Sequence, residues 1–296
     1  MLAFLAVGSQ DLDGEHTRHK ILMADGMLFN FSTGELRKAR MSDRMTRRAA
    51  ATSEEWSSAP AAVTIGQKIY HFFASGGKSL YNVADAELGA VATEIKDSLQ
   101  QLMDETPNSA LKVLLDFSGD WDCVVWFLRL ASRAASAHPK FCQFVYMHGA
   151  GRSGKDVAVS LLFNFFGGDE GGYAVLLPGT FVAKSSAGGS REGPAPFLAS
   201  LFGCRLYWIS EVPEHEDFNM ALMKPLCEQQ GAPMTARALY RAPVACRPSG
   251  LAICTSNFPM KLKSIDDDGA PRRTLHMDTR FKFVYKPSEL THRKAR

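Results

Sequence analysis

No two of the six cysteines (Cys123, Cys142, Cys204, Cys227, Cys246 and Cys254) form a C-x-x-C pair. That absence argues against a zinc ribbon or a dithiol redox centre. Three of the six fall inside apolar, strand-like runs, which reads as buried free thiols in a reducing compartment. The eight histidines are scattered and never fall at ligand spacing, so no zinc site is expected. No apolar run is long enough to span a bilayer, and the opening MLAFLAV lacks the basic flank of a secretory signal. The expectation is an intracellular chain with no membrane partner, one whose start suggests a piece cut from a longer protein. A net formal charge of +3 is too small to argue for nucleic acid by itself.

Charge is unevenly placed, however. Arg37, Lys38, Arg40, Arg44, Arg47 and Arg48 cluster early, and His292, Arg293, Lys294 and Arg296 form a basic tail. Either run is a solvated surface or a contact for nucleic acid. With 296 residues and 46% hydrophobic content, the chain can bury a full core and is expected to hold one large domain and a smaller one.

The most informative stretch runs from Phe141 to Asp156, FCQFVYMHGAGRSGKD, and continues into VAVSLLFNFFGG. An apolar run to Met147 predicts a buried strand. Gly149, Gly151 and Gly154 punctuate a loop, and Val157, Leu161 and Phe165 recur at helical spacing. Strand, glycine loop ending in Gly-Lys, then helix is the phosphate-cradling pattern G-x-x-x-x-G-K-[ST]. Backbone N–H groups at the helix start point at an anion, and Lys155 adds a positive charge. The residues assigned to the nucleotide are Gly149, Gly151, Ser153, Gly154, Lys155, Asp156 and Val157. The last pattern position is anomalous: Asp156 stands where a hydroxyl normally holds Mg²⁺.

Before the loop, Lys20 to Phe31 reads as two short strands around Asp25-Gly26, with another turn at Thr33-Gly34. Residues 49–62 read as a loop or linker, and 65–73 as a strand or the start of a helix, broken by Gly76-Gly77. Helices are expected over 83–103 (Leu88, Val91, Ile95 and Leu99 on one face, ended by Pro107), over 111–115 and over 124–135. His138-Pro139 closes this layer, and the domain boundary falls near residue 140. After the loop helix come a glycine turn at 167–172, a loop over 183–197, a strand over 206–209 and a helix over 218–228. A hairpin or extended segment over 234–241, a strand over 251–257, a charged turn over 266–273 and a strand over 281–285 follow.

Three of these segments carry possible chemistry. LYWISE ends on Glu211, a carboxylate placed to hold Mg²⁺ or polarise an attacking water, or simply a surface acid. LAICTSN ends on Asn257, able to bond a water or a γ-phosphate, or an ordinary turn residue before Pro259. Arg272-Arg273 could supply a guanidinium to a transferring phosphoryl group, or be merely exposed.

In this order the motifs resemble those of superfamily 3 helicases, and most closely the helicase part of poxvirus-type and phage-type primase–helicases. The run "R-L-hydrophobic-S-E-x-x-E" is matched by Arg205-Leu206 and Ser210-Glu211 to Glu214. The "T-A-R-x-L-Y" run is matched by Thr235-Ala236-Arg237 with Leu239-Tyr240, and the "S/T-N-x-x-P" step, less strictly, by Ser256-Asn257 and Pro259. The "D-x-G-x-x-R-R" step is matched by Asp267, Gly269, Arg272 and Arg273. The stretch ADGMLFNFSTGELRKARMSDRMTRR is similar to the region preceding the helicase in those proteins. No primase polymerase module is visible.

The resemblance implies an α/β fold, an AAA+-like P-loop NTPase three-layer sandwich with a parallel sheet. A smaller mixed or helical N-terminal region (1–140) would precede an ATPase domain (141–296). The Asn257 strand would lie between the P-loop strand and the Glu211 strand. It implies ATP and Mg²⁺ as cofactors, a hexameric ring with itself, single-stranded DNA as partner, and a primase fused or separate. The activity implied is ATP-driven helicase movement at intracellular sites of DNA replication. Lys155, Glu211 and Asn257 would be catalytic, with Arg272 or Arg273 reaching the neighbouring subunit's ATP. Arg237 and Arg241, on a hairpin in the channel, would contact DNA phosphates, or Arg237 would order the subunit interface. Asp156, Ser210 and Glu211 would hold the metal, with the loop and strand exchanging their usual carboxylate and hydroxyl. The rival readings are a non-hydrolysing remnant of such a helicase, which Asp156 favours, and a small-molecule or nucleotide kinase.

Overall fold

The computed structural model describes residues 17, 19–70, 85–105, 109–137, 143–168, 171–183, 198, 200–214, 216–227, 234–236, 244–246, 248–262, 269–279 and 282–284. Strands β1 (Lys20–Leu22), β2 (Met27–Asn30) and β3 (Leu36–Lys38) form a small antiparallel sheet. Its two turns are the expected ones, with Gly26 and Gly34 at the positive φ such turns need. Phe29 and Phe31 leave this sheet to pack on Trp56.

The stretch read as a linker is ordered helix instead: α1 (Ser53–Ser57) and α2 (Pro60–Tyr70). Thr52 and Glu55 form a reciprocal capping box, a signal present in the letters T-x-x-E and overridden by their Ala/Ser-rich surroundings. Helix, not strand, is also the outcome for the ambiguous stretch from 65 to 70. Helices α3 (Asp85–Glu105), α4 (Ser109–Ser118) and α5 (Trp121–Ser136) follow as expected. Ile95 and Leu99 are buried on the expected face of α3, while the side chains of Leu88 and Val91 lie outside the described residues. Asp120 caps α5 by accepting from the Cys123 N–H. Gly76-Gly77, Pro107 and His138-Pro139 also lie outside the described residues.

The second part alternates strand and helix: β4 (Phe144–His148), α6 (Lys155–Phe165), β5 (Ala174–Pro178), β6 (Leu206–Ser210) and α7 (Met220–Cys227). Then come β7 (Met234–Ala236), β8 (Val244–Cys246), β9 (Leu251–Ser256), α8 (Gly269–Arg273) and β10 (Thr274–Asp278). Five of these strands make one all-parallel sheet in the order β10-β4-β9-β6-β5. β7 and β8 form a separate antiparallel hairpin. A parallel sheet buries both faces, and the alternation along each strand shows it. Val145 and Met147 of β4 and Ile253 of β9 face the core shared with α4–α6 and the N-terminal sheet. Phe144, Tyr146, Ala252 and Cys254 face the core formed with α7 and α8. This is a three-layer α/β sandwich built on a five-stranded parallel sheet, with the smaller antiparallel sheet and helices before it. Burial pushes the Cys254 thiol well up, which keeps it protonated; Cys204 and Cys227 are likewise buried thiols.

Three sequence readings need correction here. The buried face of α6 is Ala158, Val159 and Leu162, while Val157 is 52% exposed and Leu161 and Phe165 are only half-buried. A helix between a sheet and a second helix layer has two apolar sides, so the chosen stripe marked the wrong one. Residues 269–273 form a short helix and not only a charged turn. The final strand is Thr274–Asp278, whereas residues 282–284 of the expected 281–285 strand are not in the sheet. Edge strand β5 was not expected from the sequence, its Gly-rich entry and Pro178 masking five apolar-rich residues.

Candidate nucleotide site

The register of the sheet aligns the strand ends. His148 pairs with Ser256, and Thr255 pairs with Ser210. The residues that follow, Gly149, Asn257 and Glu211, therefore emerge side by side at the carboxyl edge of the sheet. With neighbouring strands about 4.8 Å apart, Glu211 is two strands, roughly 10 Å, from the phosphate-loop strand. β9 does lie between β4 and β6, as the resemblance implies.

The loop itself is tightly built. Gly154 adopts φ +84° as the N-cap of α6, a conformation that a side chain would strain. Arg152 (φ +65°) takes the same left-handed conformation without that freedom. Ser153 is 1% exposed, and its Oγ has no hydrogen-bond partner, an orphaned buried hydroxyl inside an anion-type loop. Lys155 is 4% exposed, and its Nζ donates to Asn257 Oδ1 at 2.6 Å and to the Gly149 carbonyl at 3.4 Å. Two positions singled out separately in the sequence thus meet. Asp156 is exposed on the first turn of α6, its carboxylate 3.9 Å from the same ammonium.

Glu211 sits at φ +59°, a left-handed conformation unusual for a side chain of this size. Gly179 packs against it so closely that a Cβ there would lie 2.1 Å from the Glu211 carbonyl oxygen. Such strain, costing on the order of 1–3 kcal/mol, persists where the surroundings impose it, and is concentrated at functional sites. Ser210 ends β6 half-buried, beside Thr255.

Arg272 and Arg273 are not brought to this edge. They end α8 immediately before Thr274, which pairs with Phe144 at the other end of β4. Four residue-to-residue steps at about 3.3 Å each separate the two ends of β4 by roughly 13 Å. Arg272 is exposed and Arg273 half-buried. Arg237 and Arg241 lie outside the described residues, as do the 184–197 loop and the basic tail; a hairpin does form, but only β7 falls within the expected 234–241, its partner β8 lying beyond it.

The early basic cluster is largely engaged within the chain. Arg37 makes a bidentate pair with Asp43 at 2.6 and 2.9 Å, holding that carboxyl down at about 2. Arg47 donates to the carbonyls of Gly172, Ser200 and Phe202, and Arg48 to that of Ala24. These contacts are structural.

One element of the site was not expected. The chain after β10 returns across the loop: Thr279 bonds the His148 carbonyl through both its N–H and its hydroxyl, and the Phe283 N–H donates to the Arg152 carbonyl at 2.8 Å. Gly149 has no room for a Cβ, which would lie 1.6 Å from Thr279 Oγ1. Residues 282–284 of the aromatic run FKFVY carry this contact as coil, where its alternation predicts a strand.

No protein-family profile matches the sequence, and no curated protein matches it either. Among solved structures the chain is similar to the apo structure of the NrS-1 C-terminal region (305–718), at 15% identity and a TM-score of 0.42 over 57% of this chain. It is similar also to the A form of the same region, at 14% identity and a TM-score of 0.43 over 60%. The chain spans 38% of the length of each of those solved chains.

Proposed function

We propose that this chain is the ATPase part of a superfamily 3-type DNA helicase, acting in DNA replication and moving on single-stranded DNA at the expense of ATP. The observation that carries the reading is the Lys155–Asn257 contact beside the orphaned Ser153 hydroxyl, at the sheet edge where strained Glu211 emerges. Lys155, the loop N–H groups and Ser153 have the chemistry to bind a triphosphate. Asn257 would exchange its lysine partner for the γ-phosphate or an attacking water, and Glu211 would orient that water and accept its proton. Mg²⁺ suits the oxygen donors of Asp156, Ser210 and Glu211, and when bound would offset the phosphate charge. Arg272 or Arg273, remote from their own chain's loop, fit a finger reaching the neighbour's ATP in a ring. The 234–246 hairpin, bearing Arg237 and Arg241, would track DNA phosphates without reading sequence.

A second reading, a nucleotide- or DNA-binding remnant that does not hydrolyse, is favoured by Asp156, whose carboxylate lies near Lys155. The test is ATP turnover of the purified chain with and without single-stranded DNA. DNA-stimulated turnover lost in Lys155→Ala supports the motor, whereas turnover unchanged in that variant rejects the site. Binding without turnover in the wild type, with turnover gained in Asp156→Ser, would establish the remnant.

A further inference from the structure

Only four large apolar side chains stand exposed among the described residues, and two of them, Val157 (52%) and Phe283 (45%), flank the phosphate loop. Isolated exposed apolar groups need no explanation, but two bordering one polar site do. Phe283 is fixed there from its own backbone. The segment is pinned at Thr279 to His148 and at Phe283 to Arg152, spanning the loop. The ring lies against Gly154, where an added Cβ would come within 2.7 Å of Phe283 Cε2 and 3.4 Å of buried Phe117 Cδ2.

We infer that Phe283 is the platform on which the base of the bound nucleotide stacks; the inference rests on the nucleotide-site reading above. A phosphate cradle bordered by a half-open aromatic ring fits a ligand that carries a planar ring and a phosphate chain together. The bound base covers apolar surface that the free protein leaves in water, and stacking needs no base-specific hydrogen bond. The ring is held in advance, so little ordering cost falls on binding. The larger face of a purine is favoured over a pyrimidine. The orphaned Ser153 hydroxyl serves the phosphate end and Phe283 the other, so the two halves of the ligand can be tested apart.

The experiment is calorimetric titration of the full chain with ATP and, separately, with inorganic tripolyphosphate, which lacks a base. Phe283→Ala is expected to weaken ATP binding by about tenfold or more, at least ~1.4 kcal/mol, through loss of the stacking face. Tripolyphosphate affinity is expected to stay within about twofold, below ~0.5 kcal/mol. Phe283→Leu keeps an apolar contact on Gly154 while removing the aromatic face, and should show the same split if Phe283→Ala fails to fold. Phe283→Trp should retain ATP affinity. Equal losses for both ligands would mean that the segment merely braces the loop, and no loss for either would mean that the base lies elsewhere; both outcomes overturn the platform. Lys155→Ala serves as the control. If it leaves both affinities intact, the nucleotide site itself is wrong; if it lowers both while Phe283→Ala does nothing, only the platform fails.

Discussion

Lys155 and Arg205 are both buried cations, at opposite ends of the same parallel sheet. Arg205 enters β6 at 1% exposure, donates to the carbonyls of Ala135, Thr17 and Lys20, and lies over the Tyr173 ring at 4.5 Å. Its planar fork ties the end of α5 and the start of β1 to the central sheet. Lys155 has one short bond to a side-chain amide on the exposed Asn257 and one long bond to a carbonyl. The difference separates scaffold from site: one charge is held by several elements at once, and the other by a partner that can change.

The largest effect should therefore come from Arg205. Arg205→Ala would leave buried carbonyls unpaired at about 1–3 kcal/mol each and is expected to lose on the order of 4 kcal/mol of stability, read by urea unfolding. Arg205→Lys should recover little, because an ammonium cannot span the three carbonyls. A loss below about 1 kcal/mol would break the comparison.

Arg37 belongs with Arg205, and Asp43 shows it. Because its folded pKa of about 2 is depressed below the ordinary 3.8, the pair contributes stability above pH 4. That contribution is lost as pH falls from about 4 through 2. Asp43→Asn should cost on the order of 2 kcal/mol at neutral pH and little near pH 2, measured as paired unfolding curves.

At the site end the sign should reverse. Glu211→Gly relieves a left-handed backbone and is expected to stabilise the fold by about 1 kcal/mol while abolishing any turnover, checked by thermal unfolding alongside an ATPase assay. The smallest change is expected for Lys155→Met, within about 1 kcal/mol of wild type by urea unfolding, because removing a buried ammonium offsets its lost bonds. A loss as large as that of Arg205→Ala would make Lys155 a structural residue.

The division between scaffold and site was only partly legible in the sequence. The loop, the hairpins and the strands ending in Glu211 and Asn257 could be read because each is local: a glycine triplet, a tight turn, an apolar run closed by a polar residue. The Lys155–Asn257 contact could not, because strand order sets it and the two residues lie far apart in the chain. The role of Arg205 was hidden similarly. Its letter fitted a motif, but its carbonyl partners belong to other elements. Phe283 was misread because an aromatic alternation looks the same whether it pairs in a sheet or folds back as coil.

The strand order also sets a schedule. β4, which carries the phosphate loop, is flanked by β9 and β10, which among the described residues are the latest strands in the chain. At roughly 5–20 residues per second, about ten seconds of translation separate it from its neighbours. For that interval FVYMH has both edges open, an apolar ribbon able to pair with other chains. Yield in the cell should then depend on how fast the ribosome reaches residue 278, and slow codons after β4 should cost more protein than the same codons placed before it.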